Sequence, residues 1–210
     1  IHYTGMQSEI ESIKRLKNPK YKVSCHYLIN RKGKIIQLVK DKNIAWHAGK
    51  SKWKKITDLN KDSIGIELVN KGHEFGYQNF SPKQIKSLIR LCKNLKKKYF
   101  IKKENFLGHS DIAPLRKIDP GKKFPWKKLS MHNIGNWYSK KEKKIEVNLK
   151  KIEHSFFKNL QKLGYRYFSV KNRKSNDQKI IKSFQSHYLP NRVTGKVDQK
   201  TFEISHFLTH

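Results

Sequence analysis

The chain has 210 residues, enough for one or two domains, and its 36% apolar content is enough to build a core once the lysines are set aside. No apolar run approaches the ~18 residues of a membrane-crossing helix, so a water-soluble mature chain is expected. The charge is extreme, with 48 Lys+Arg against 16 Asp+Glu and a net +32. Such a balance suits a polyanionic partner such as nucleic acid or a phosphate- and carboxylate-rich bacterial envelope. The lysines, however, are scattered through every segment, and Asn and Ile are abundant with them. That favours a compositional bias over a dedicated basic face. With no recognition motif present, no specific nucleic-acid partner is expected, only weak salt-labile attraction.

In chain order, residues 1–4 read as the end of a strand, and Ser8 to Leu16 as a short helix closed by Asn18-Pro19. Val23–Ile29 and Ile35–Val39 read as two strands joined by the turn Arg31-Lys32-Gly33-Lys34, a hairpin. Ala45-Trp46-His47-Ala48-Gly49 is a loop. From Ile64 to Val69 the pattern alternates, with Ile64, Ile66 and Leu68 on one face and Gly65, Glu67 and Val69 on the other. Ser81-Pro82-Lys83-Gln84 opens a helix running to about Lys98. Ser81 caps it, Pro82 fits its first position, and Gln84 can complete a capping box.

A long loop spans Leu107 to Trp126, and loops of that length inside a compact domain are usually functional. A Lys-rich shift over 127–146 reads as a connection packed in part on the first domain. Beyond it, Leu149, Ile152, Phe156, Leu160 and Leu163 recur at helical spacing up to Gly164. Asp177–Tyr188 is a second amphipathic helix, and Asp198 caps a third. The expected organisation is a first domain over 1–138, a linker over 139–146 and a three-helix bundle over 147–210.

Cys25 and Cys92 match no zinc spacing and read as small buried hydrophobes, with their disulfide state left open.

The loop from Gly108 to Gly121 reads Gly-His-Ser-Asp-Ile-Ala-Pro-Leu-Arg-Lys-Ile-Asp-Pro-Gly. It places the imidazole of His109, the carboxylate of Asp119 and the cation of Lys117 in one Pro- and Gly-rich segment. With His2 this makes two His and one Asp, a set suited to one catalytic zinc with an open fourth position. Glu67 is a candidate general base, and Lys117 can stabilise an oxyanion. Taken singly, each has a plainer explanation. Glu67 fits a solvated strand position, and Asp119 before Pro120-Gly121 fits a turn. A metal ligand on a frayed chain end is improbable, so a longer precursor is expected, through a removed export signal or a trimmed chain.

Ile1-His2-Tyr3-Thr4, Ser24-Cys25-His26-Tyr27-Leu28-Ile29, Trp46-His47-Ala48-Gly49, Ser63-Ile64-Gly65-Ile66-Glu67-Leu68-Val69-Asn70, the Gly108–Gly121 loop and Phe124-Pro125-Trp126 follow one another in order. This succession resembles the zinc-dependent N-acetylmuramoyl-L-alanine amidases of type 2, the AmiD/AmpD group, over about residues 1–138. The resemblance implies an α/β fold, a mixed central sheet flanked by helices as in peptidoglycan-recognition proteins. It implies hydrolysis of the amide between N-acetylmuramic acid, or its anhydro form, and the L-alanine of the stem peptide. Carried over by position, His2, His109 and Asp119 hold one Zn2+, Glu67 is the base and Lys117 serves the oxyanion. Trp46, His47, Asn70 and Trp126 are the implied substrate contacts.

Of the remaining candidates, His26 reads as structural, Trp53 as groove-lining or core, and His206 with His210 lacks an acidic partner for a second metal. Phe184-Gln185 followed by Gly195-x-x-Asp198-x-x-Thr201 resembles the three-helix peptidoglycan-binding module of AmiD-type enzymes, which binds glycan or simply packs on the catalytic domain. The expected partners are peptidoglycan or muropeptides, met by a monomer in the periplasm or at the outer membrane. A lipidated upstream segment would add membrane association. The alternative is a non-catalytic peptidoglycan-recognition protein on the same fold.

Overall fold

The computed structural model describes residues 1–139 and 151–210. Four short strands, β1 (His2–Tyr3), β2 (Tyr27–Ile29), β3 (Ile35–Gln37) and β4 (Ile66–Leu68), form a sheet in the order β1-β4-β2-β3. β4 runs parallel to both β1 and β2, and β2 with β3 makes the expected antiparallel hairpin. The second strand is shorter than the apolar run that announced it. Residues 24 and 26 give their amide N–H groups to Trp46 and Gly65 instead of to the hairpin partner.

The helices are α1 (Glu9–Lys17), α2 (Leu59–Asp62), α3 (Pro82–Tyr99), α4 (His109–Ile112), α5 (Trp126–Ser130), α6 (Ile152–Leu163), α7 (Asp177–Tyr188) and α8 (Gln199–Phe207). Ser81 and Asp198 cap as the sequence marks, their side chains accepting from the Gln84 and Thr201 amides, and Ser8, read as the first residue of its helix, is instead the cap, accepting from the Glu11 amide. Gln84 departs from the expected capping box. Its Nε2 donates to the Ile29 and Val69 carbonyls at 2.9 and 3.1 Å, so it ties α3 to the ends of β2 and β4.

The alternation in β4 sorts two cores. Ile66 and Leu68, with Ile29, meet Ile85, Leu88, Cys92 and Leu95 of α3, while Val69, Leu28 and Cys25 meet Leu16 of α1. Both cysteines are free and buried, on opposite faces of the sheet. A third cluster joins Phe156, Phe157, Leu160, Ile180, Phe184, Phe202 and Ile204 of the C-terminal helices to Ala48, Trp53, Leu59, Ile112 and Ala113. The bundle's core is therefore continuous with the loops of the first unit.

The described part of the Lys-rich stretch, up to Ser139, is more ordered than its composition suggests. It carries α5, and Ile134 is fully buried beside Trp126 and Leu129. Lys127 and Lys128 face outward, which masks the few apolar residues that fix this part of the chain. The linker expected over 139–146 and the residues up to 150 lie, apart from Ser139, outside the described residues. Among the described residues, no helix is long and apolar enough to cross a membrane.

Candidate active site

The register of the sheet builds the first half of the site. His2 on β1 lies directly beside Glu67 on β4. Neighbours in a parallel ladder put their side chains on the same face, so a two-residue strand suffices to aim His2 and Glu67 together. The second half comes from the 108–121 loop. Its His109 amide donates to the Ile1 carbonyl at 3.1 Å, stitching the loop to β1, and its Ser110 amide donates to the Asp119 carbonyl at 2.8 Å, folding the loop back on itself.

His2, His109 and Asp119 consequently converge in a buried group. His2 Nδ1 lies 2.9 Å from His109 Nδ1 and 3.2 Å from Asp119 Oδ2, and His109 Nδ1 lies 3.1 Å from the same oxygen. Three donors held tetrahedrally around zinc at about 2.0–2.1 Å would stand roughly 3.3 Å apart. The hydrogen bonds on the far side of each ring point the same way. His109 Nε2 donates to the Ala48 carbonyl at 3.0 Å, which leaves its Nδ1 as a bare lone pair. His2 Nε2 faces His47 Nδ1 at 3.2 Å, and His47 Nε2 faces Ser63 Oγ at 3.4 Å. Assigned as donation from His47 to Ser63 and from His2 to His47, this chain also presents His2 Nδ1 as a lone pair. Two lone pairs and a carboxylate oxygen facing one another within 3.2 Å repel unless a cation sits among them, so the donor set fits a metal ion.

Burial, the neighbouring His109 and the chain-terminal amine hold His2 well below its ordinary pKa, against the pull of Asp119. Burial opposes the charge on Asp119, but attraction and ring N–H donation from His109 and His2, in the tautomers they hold before a metal takes their lone pairs, overcome it and keep its carboxyl well below the usual range. The group is thus a neutral His2 with an ionised carboxylate. Burial and the charge of Asp119 push Glu67 up to about 8, with the terminal amine and Lys117 acting in the opposite sense. Glu67 Oε2 is buried with no hydrogen-bond partner in the described structure. Lys117, at the half-buried edge of the loop, donates its amide to the Ala113 carbonyl at 3.0 Å.

The four residues expected to touch substrate separate. Trp46 is half exposed and free to meet a ligand. His47 is buried and engaged at both ring nitrogens, so it backs His2, with which it also lines a cavity. Asn70 is 1% exposed, and its side chain bonds the Gly72 and Gln78 amides and the Gln78 carbonyl, so it closes the 70–78 loop. Trp126 is 3% exposed and stacked on His187 of α7 with ring centroids 4.0 Å apart, which makes it a core residue. Trp53 is likewise buried, against Tyr165. His26 is structural as expected: it accepts the Gly65 amide at Nδ1 and donates from Nε2 to the Asn43 carbonyl.

Several residues that shape the site were not singled out from sequence. Asn60 Oδ1 accepts the His47, Ala48 and Gly49 amides and so fixes the Trp-His-Ala-Gly loop. Gly65 leaves room for His47, since a Cβ there would lie 2.2 Å from its Cγ. Asp111 is fully buried and accepts from the Gly108 amide, Tyr165 and His187.

A mixed sheet carrying this donor group beside a buried carboxylate fits a metal-dependent hydrolase, and comparison with known proteins gives the family. The chain belongs to the N-acetylmuramoyl-L-alanine amidase family, whose pattern matches residues 1–122. It is 36% identical over 229 aligned positions to the N-acetylmuramoyl-L-alanine amidase AmiD of Escherichia coli K12, covering 99% of this chain and 80% of that protein. It is 42% identical over 108 positions to the 1,6-anhydro-N-acetylmuramyl-L-alanine amidase AmpD of Haemophilus influenzae, covering 51% of this chain and 56% of that one. Among solved structures, E. coli AmiD in complex with the substrate anhydro-N-acetylmuramic acid-L-Ala-D-gamma-Glu-L-Lys superposes with a TM-score of 0.85 at 34% identity, covering 99% of this chain and 86% of that one. AmpDh3 from Pseudomonas aeruginosa gives 0.86 at 31%, covering 99% and 88%. The expected fold is thereby confirmed along the chain.

Proposed function

We propose that this protein is a zinc-dependent amidase that cleaves the bond between N-acetylmuramic acid, or its anhydro form, and the L-alanine of peptidoglycan stem peptides. The observation that carries the proposal is the triangle of His2 Nδ1, His109 Nδ1 and Asp119 Oδ2, two lone pairs and a carboxylate oxygen held face to face beside Glu67. Those three residues would hold one Zn2+, which would supply Lewis-acid polarisation and a water of lowered pKa.

The chain's own groups do the rest. Glu67, aimed into the site by its register with His2, takes the proton of the attacking water and returns it to the leaving amine. Burial raises its pKa to about 8 before a metal binds, and a cation beside it would bring that value down so that the carboxylate is ionised to accept a proton near neutrality. Lys117 supplies positive charge for the developing oxyanion; its influence on Glu67 supports its nearness to the same space. His47 and the Ala48 carbonyl fix the ring orientation of His2 and His109. Trp46 offers an exposed ring face for sugar or peptide.

The solved AmiD complex with an anhydromuramoyl peptide supports muropeptides as the substrate class. Because peptidoglycan lies outside the cytoplasmic membrane, the periplasm or the outer membrane is the proposed place of action, and a monomer the proposed form. The full ligand set with base and cation argues against a non-catalytic recognition protein. The test is Glu67→Ala. It should keep zinc at wild-type stoichiometry and lose most turnover of a soluble muramoyl-peptide. Undiminished turnover would remove Glu67 from the reaction.

A further inference from the structure

The buried carboxylate of Asp111 has no part in the chemistry above, yet it sits two residues from His109 on the one-turn helix α4. Its Oδ2 accepts the Gly108 amide at 2.7 Å, closing the turn on which His109 begins. Its remaining bonds come from the C-terminal helices. Tyr165 donates its hydroxyl to Oδ1 at 2.6 Å, and His187 donates from Nδ1 to Oδ2 at 2.8 Å. A fourth link runs beside them, from the Ser183 hydroxyl to the Ser110 carbonyl at 2.8 Å. The His187 ring is itself clamped by Trp126 of α5 at 4.0 Å and 12°. All of these side chains are buried. His109, Ser110 and Asp111 are thus each gripped from outside their own loop, by Ile1 next to β1 on one side and by α7 and the turn after α6 on the other.

A four-residue helix has no intrinsic stability, so its conformation is set by tertiary contacts. A half-satisfied buried carboxylate would be costly, and a fully satisfied one fixes a single geometry. We propose that the C-terminal bundle is a structural part of the active site: Tyr165, His187 and Ser183 act as positioning residues that hold α4, through Asp111 and Ser110, so that His109 presents Nδ1 to the metal. This rests on the zinc assignment made above. It gives the bundle a task on every substrate, small or polymeric, that a separate wall-anchoring module would not have.

The test uses the full chain and reads zinc affinity by competition with a chromophoric chelator, alongside the thermal midpoint of the metal-free protein. Tyr165→Phe keeps the ring and removes one bond to Asp111. Ser183→Ala removes the bond to Ser110. Phe202→Leu disturbs the apolar core of the bundle without touching a polar link to α4. Loss of a supporting hydrogen bond behind a metal ligand weakens binding about 10- to 100-fold. Tyr165 and Ser183 act one link further from the ligand, so Tyr165→Phe should lose affinity at the lower end of that range, roughly 10-fold, and Ser183→Ala a few-fold, in folded protein. Phe202→Leu should lower the midpoint and leave zinc affinity unchanged. Wild-type zinc affinity in folded Tyr165→Phe and Ser183→Ala would overturn the inference. So would an equal loss in Phe202→Leu, because the effect would then be general destabilisation. Failure of the wild-type chain itself to bind zinc is a separate result that overturns the metal assignment and this inference with it.

Discussion

Loading the site with zinc should expel a proton from a residue that is not a ligand. His2 is held neutral and Asp119 ionised before any metal arrives, so neither releases a proton on binding. Glu67 is different, being pushed up to about 8 by burial and by the charge of Asp119. At pH 7 a carboxyl with that pKa is about 0.9 protonated, and at pH 9 about 0.1. A divalent cation beside it favours the ionised form and drives its pKa down. Zinc binding at pH 7 should therefore release close to one proton that Glu67→Gln, which has none to give, does not. Titration calorimetry in buffers of different protonation enthalpy reads this number as a slope. The wild-type slope should exceed that of Glu67→Gln by about 0.9 proton at pH 7, shrinking to about 0.1 at pH 9 with chelate-buffered zinc. Equal slopes at pH 7 would refute the argument, showing either that Glu67 is already ionised or that the cation does not sit near it.

The same raised pKa has a sign for stability. Between the unfolded value near 4.5 and the folded value near 8, the native state binds the extra proton, so metal-free protein loses stability as pH rises through that window. Glu67→Gln should abolish this loss, gaining on the order of 3–5 kcal/mol over wild type at pH 9 relative to pH 4, measured by denaturant unfolding. Gln84→Ala removes both bonds from α3 to the Ile29 and Val69 carbonyls and should cost roughly 2–3 kcal/mol in the same assay. Gly65→Ala places a methyl against His47 and should displace that ring, with a stability loss of about 1–3 kcal/mol and weaker zinc binding, checked by unfolding and chelator competition.

Much of this was legible locally. The alternation from Ile64 to Val69 gave the two faces of β4 correctly, and Ser81-Pro82 marked the start of α3, because period and capping are properties of neighbouring residues. The ligand loop was legible because His109, Lys117 and Asp119 share one segment. What could not be read depends on distance along the chain. Asp111 finds Tyr165 and His187 across 54 and 76 residues, and nothing local announces such partners. His47 and Trp126 adjoin recognisable motifs, which suggests contact with substrate. The partners that bury them, His2 and Ser63 for one and His187 for the other, lie on distant elements. Gln84 had a plausible local role as a cap, and the orphan carbonyls ending β2 and β4 outcompeted it.

The most direct test of the proposed activity is to incubate the purified chain with a soluble anhydromuramoyl-peptide, with chelator, and with chelator followed by zinc, and to read the products by mass. Release of a free peptide beginning with L-alanine, abolished by the chelator and restored by zinc, is the predicted result. An intact substrate in the presence of zinc-loaded, folded protein would contradict it.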